Sequence, residues 1–151
     1  MLDYQQKQKL EKEWVWNGIT PDIVKWTESF GKYLCKIEDP NDRDPKKAMT
    51  TAQLRRFFGE VKRIDADVIK NKADIPMLKP LLAYAVGRDK NSRGKNKTRI
   101  EEFELEMRKA IDAIRWSDSD EVLKSDYKNF EQILESIVAY HKYYGGQENN
   151  N

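Results

Sequence analysis

At 151 residues, with a formal net charge of +2 and 36% charged against 38% hydrophobic residues, the chain is long enough for one core and too nearly neutral to be a polycation as a whole. Its 11% aromatic residues supply the apolar bulk that disordered polar chains lack, so a small, very polar folded protein is expected. One cysteine, Cys35, excludes an internal disulfide and any multi-cysteine zinc site.

The amino terminus, MLDYQQKQKLEKEW, has no apolar signal-peptide core, and no run of about 18 apolar residues occurs. A cytoplasmic protein with no membrane contact and no cofactor is expected. Residues 1–16 read as an arm or a loosely attached helix, residues 17–146 as one helical domain, and residues 147–151 as a disordered tail.

Thr20 and Pro21 start the first strongly periodic helix, followed by Ile23, Phe30, Tyr33, Leu34 and Ile37 at helical spacing. The segment EDPNDRDPKK ends it with two prolines. Thr50 and Gln53 then form a capping box for a second helix expected to run to about Lys70. DIPMLKPLLAYAVG has prolines at both possible starts and Gly87 as a carboxyl cap, giving a short third helix. Thr98 and Glu101 suggest another capping box before Phe103, Met107, Ala110, Ile111 and Ile114. Asp118 and Glu121 suggest a cap for a last helix through Leu123, Tyr127, Phe130, Leu134, Ile137 and Val138. With no period-two run, the fold class is all-α: a compact bundle of about five helices, with a basic loop between the third and fourth.

That second helix carries a question in its cations. At about 100° per residue, Leu54, Phe57, Val61, Ile64, Val68 and Ile69 form an apolar arc. Arg55, Arg56, Lys62, Arg63 and Lys70 fall opposite, within about 120° of one another, on a face they share with Ala52, Gly59 and Ala66. A mid-helix glycine costs up to about 1 kcal/mol against alanine, which a close approach of another chain at Gly59 would explain. The second basic element, residues 88–99, holds Arg88, Lys90, Arg93, Lys95, Lys97 and Arg99 against Asp89 alone. A flexible basic loop beside a basic helix face suits phosphates and does not read bases. A solvated helix face and an ordinary exposed loop are the plainer readings of the two elements.

Chemistry is sparse. His141, the single histidine, falls on the apolar stripe of the last helix and reads as a packing residue; a nuclease using it as acid or base is the enzymatic alternative. The carboxylates in DPNDRDP and SDSDE read as turns and a helix cap, since a calcium loop needs a glycine and a closing glutamate that are missing. Trp26 reads as core, and Trp14 and Trp16 as interface candidates.

The stretches MTTAQLRRFFGEVKRI, PLLAYAVGRDK and FEQILESIVAYHKYYGG closely resemble, in order and spacing, signatures of the small subunit of type III-A CRISPR effector complexes, the Csm small subunit. The resemblance covers about residues 20–146. It implies an all-α, non-catalytic RNA-binding subunit acting in antiviral defense. It also implies several copies stacked beside backbone and large subunits along the duplex of guide RNA and target RNA. The family's basic helix and loop correspond to Arg55, Arg56, Lys62 and Arg63, and to Arg88 and Lys90; Arg93, Lys95 and Lys97 follow in a loop of variable length. A helical interaction module for an acidic protein is the third reading.

Overall fold

A computed structural model describes residues 9–37 and 39–145. Six α-helices follow one another: α1 (Lys12–Asn17), α2 (Pro21–Leu34), α3 (Thr51–Asp65), α4 (Leu78–Arg88), α5 (Ile100–Ala113) and α6 (Asp120–Tyr143), with a 3-10 turn at Lys72–Asp74. No strand occurs among the described residues, only two isolated bridges, Lys47 with Thr98 and Lys90 with Asn96. The all-α expectation holds, with the basic loop now between α4 and α5.

α6 is the axis of the bundle, packing on α2, α1 and α3, while α5 packs on α4 and α1. Its stripe of Leu123, Tyr127, Phe130, Leu134 and Ile137 is fully buried. The Tyr127 hydroxyl donates to the Val61 carbonyl at 2.7 Å, pinning α6 to α3. α2 begins as expected, with the Thr20 hydroxyl accepting from Ile23 N at 3.2 Å. α3 begins with the full capping box: Gln53 N donates to Thr50 Oγ1 at 3.0 Å, and Thr50 N donates to Gln53 Oε1 at 2.8 Å.

Several boundaries differ from those read in the sequence. α2 stops at Leu34, leaving Ile37 outside the helix and 64% exposed. α3 stops at Asp65, because Asp67 takes the Lys70 amide on its side chain at 3.1 Å and turns the chain. Gly87 is not a cap: α4 continues through it to Arg88 without a positive φ. The cap of α6 is Ser119, whose hydroxyl accepts from Val122 N at 3.2 Å, and not Asp118. No capping box forms at Thr98 and Glu101, because Thr98 is drawn into a polar network described below.

The segment before α2 is docked. Val15 and Leu10 are buried, and Trp16 Nε1 donates to the Ala113 carbonyl at 2.7 Å. Leu10 N donates to Glu106 at 3.0 Å, and Trp14 meets Trp26 edge-on at 5.2 Å. Residues 9–17 are therefore part of the packed body, and the half-buried Trp14 and Trp16 pack against its core. Residues 1–8 and the 147–151 tail lie outside the described residues.

Candidate nucleic-acid interface

The nine cations of the basic helix and loop that the resemblance points to separate into different environments. Lys62 forms an ion pair with the nearly buried Glu131 on α6 at 2.9 Å. Arg63 makes a two-pronged pair with Glu60, at 3.1 and 2.6 Å, and reaches Asp74 at 3.0 Å. That pairing holds the Glu60 carboxyl below its ordinary range. The Lys62–Arg63 end of the stripe is thus substantially neutralised by its own fold. Arg55, Lys90 and Lys95 are exposed, and Lys90 meets Asn96 through backbone only.

Arg56, Arg88 and Lys97 instead converge. They line one groove of about 750 Å³ with two cations the sequence reading missed, Arg43 and Lys47. The segment around residues 43–47, the start of α3, the end of α4 and the loop after it form its walls. Five cations face two carboxylates there, Asp44 and Asp89. None of the five forms an ion pair with a carboxylate among the described residues. The first turn of α3 borders the same groove, adding the positive end of a helix dipole.

The two carboxylates are occupied with structure. Asp44 binds the Arg93 guanidinium, Nε to Oδ2 at 3.2 Å, and accepts from Asn91 Nδ2 at 2.9 Å; Arg93 holds its carboxyl below the usual range. Asp89, 7% exposed, accepts from Thr98 N at 2.9 Å, Thr98 Oγ1 at 3.1 Å, and Asn96 and Gln53 amides at 3.3 Å each. A buried carboxylate satisfied by four donors anchors the residues that supply them, Asn96 and Thr98 in the loop and Gln53 in α3. Asn91 Oδ1 caps the turn by accepting from Arg93 N and Lys95 N, and Gly94 supplies a φ of 76°. Lys47 N donates to the Lys97 carbonyl at 2.8 Å and Arg99 N to the Lys47 carbonyl at 3.1 Å, tying the loop to the 43–47 segment.

The basic loop is therefore a hydrogen-bonded turn, not the flexible loop expected. A backbone already held in place loses less entropy on meeting phosphates than that of a mobile loop. Arg99 is not part of the groove lining: it is 3% exposed and donates to the Tyr33 hydroxyl and Glu102 within the core.

The fold does bring Cys35 and His141 together, which their sequence separation gave no reason to expect. The sulfur, however, donates to the His141 carbonyl at 3.3 Å, and burial pushes the thiol up to about 11. His141 Nε2 lies 2.6 Å from the Met49 carbonyl, which only accepts, so that nitrogen carries the proton. The ring is 1% exposed, and burial lowers its pKa. Neither a thiolate nor an accessible base results. No group of three or more His, Cys, Asp or Glu side chains is arranged to hold a metal among the described residues.

His141 gives a pH prediction. Its folded pKa lies below the ordinary value of about 6.5, so the unfolded chain takes up a proton first as pH falls. Stability is fully present above about pH 6.5 and declines below it. Denaturant melts at pH 7.5 and pH 5.5 should show a larger loss for the native chain than for His141→Asn, although the variant is the less stable at pH 7.5.

Fold and groove together define a small all-helical protein with a groove lined by five cations among the described residues. A family model described as Csm2 Type III-A matches residues 22–147, and the chain belongs to that family, the small subunit of the type III-A CRISPR Csm complex. No curated protein and no solved structure matches the chain. No helix among the described residues is long and apolar enough to cross a membrane.

Proposed function

We propose that this subunit binds RNA without cutting it, holding the sugar-phosphate backbone in the groove of Arg43, Lys47, Arg56, Arg88 and Lys97 while base pairing elsewhere in the complex reads sequence. The observation that carries this reading is the convergence of those five unpaired cations, brought from separate segments onto one preset surface. In the complex, several copies stack along the guide RNA/target RNA duplex, beside the backbone and large subunits, in antiviral defense in the cytoplasm. Arg55, Lys90 and Lys95, exposed at the margins, extend the same field. Lys62 and Arg63 serve the fold first and the RNA second.

The test is a salt titration of binding with two RNAs of unrelated sequence. Up to five phosphate contacts on a single strand give a log–log slope of roughly −3 to −4. The two RNAs should bind alike and remain intact with or without magnesium. Binding indifferent to salt, strong preference for one sequence, or cleavage that follows the protein through purification contradicts the proposal.

A further inference from the structure

α4 leaves a second surface beside the groove. It buries Leu78 and Leu82, yet its opposite side exposes Met77 at 61% and Tyr84 at 68%. Tyr84 is one helical turn before Arg88, and the Arg88 guanidinium lies over its ring, 5.7 Å from the centroid. Arg88 also lines the groove, so the ring and the phosphate-binding surface share one residue. A tyrosine without a hydrophobic role in the fold, with a cation over its ring at the edge of a basic groove, has the features that stack a nucleobase.

We infer that Tyr84 and Arg88 form a stacking platform for one unpaired base of the strand whose phosphates occupy the groove. The inference rests on the groove being an RNA site and adds a preference: RNA with an unpaired base, in a single strand or displaced from the guide–target duplex, over a fully paired duplex, whose bases are already stacked on one another. Arg88 acts twice, as a phosphate cation and as a planar partner that keeps the ring oriented. The hydroxyl of Tyr84 has no part in this, so phenylalanine should replace it.

The experiment uses the full chain with a short oligouridylate, whose bases hardly stack, carrying one 2-aminopurine, and a fully paired RNA duplex of the same length. The native chain and Tyr84→Phe should quench 2-aminopurine and favour the single strand. Tyr84→Ala should abolish the quenching and weaken single-strand binding by roughly tenfold, leaving duplex binding and the salt slope unchanged. Since Tyr84 is exposed, its removal should leave the melting temperature unaltered. Lys47→Ala with Arg56→Ala should weaken both ligands. Native-like single-strand binding by Tyr84→Ala, while the double variant weakens, overturns the platform and leaves the groove standing. Indifference of the double variant overturns the groove reading as well. Unchanged RNA binding by Tyr84→Ala with loss of assembly onto other subunits assigns the ring to a protein contact and overturns the platform.

Discussion

Arg115→Met should lower stability by more than the neutralising change Asp126→Asn on the other side of the same pair. Asp126 on α6 is completely buried and accepts three bonds from Arg115, which follows α5, from its backbone N, Nε and Nη2, each at 2.9 Å. The arginine side chain is 40% exposed. Removing the guanidinium strands a buried carboxylate with one backbone donor, whereas removing the carboxylate's charge leaves a cation that can turn to water. Methionine keeps most of the stem that packs near Trp16, where the guanidinium sits 5.4 Å from the ring centroid. Urea melts of the two single variants and the double variant measure the asymmetry. The double variant should be less impaired than Arg115→Met alone, and equal losses from the two single changes would remove the argument.

Gly31→Ala should destabilise by about 2 kcal/mol, despite alanine's better helix propensity. A methyl group at Gly31 would stand 2.8 Å from Tyr140 Cβ and 3.0 Å from His141 N, so α2 and α6 would have to separate. Valine should be worse. Gly59→Ala in the middle of α3 should instead stabilise the isolated chain by up to about 1 kcal/mol, because nothing lies within 4 Å of the added carbon. Thermal melts of both variants check the pair. A stabilised Gly31→Ala would show that the helices are not in contact there.

Those two glycines show what a sequence can and cannot reveal. Gly59 stood out because it shares a face with cations, but its surroundings are open; Gly31 sits in an amphipathic pattern like any other helix position, and only the crossing of α2 and α6 makes it special. The helices themselves were legible because burial repeats every three to four residues along α2, α3, α5 and α6. Their ends were less so, since Asp67 and Thr98 could equally take part in caps, turns or a tertiary network.

The site was half legible. Angular placement brought Arg55, Arg56, Lys62 and Arg63 to one face, but angles do not include the acids that other elements contribute: Glu131 from α6 and Asp74 from the turn before α4. Arg43 and Lys47 lay in a proline-broken acidic and basic stretch without periodicity, and the pairing of Lys47 with Thr98, with the bonds of Asn91 and Arg93 to Asp44, brings them to the groove. Asp89 looked like a lone acid in a basic run, yet it holds that run in shape.

The central claim is that the groove, and not the whole cationic stripe of α3, holds RNA. The most direct measurement compares RNA affinity at about 0.1 M salt for Lys47→Ala/Arg56→Ala/Lys97→Ala with that for Lys62→Ala/Arg63→Ala. Each lost phosphate contact removes about one released counterion, so the triple variant should bind roughly a hundredfold more weakly and its salt slope should shrink by about 2. The Lys62/Arg63 variant, whose cations are already paired with Glu131, Glu60 and Asp74, should lose stability but stay within about threefold of native affinity while folded. A triple variant that binds RNA as tightly as the native chain, or a Lys62/Arg63 variant that loses binding to the same extent, would contradict the account.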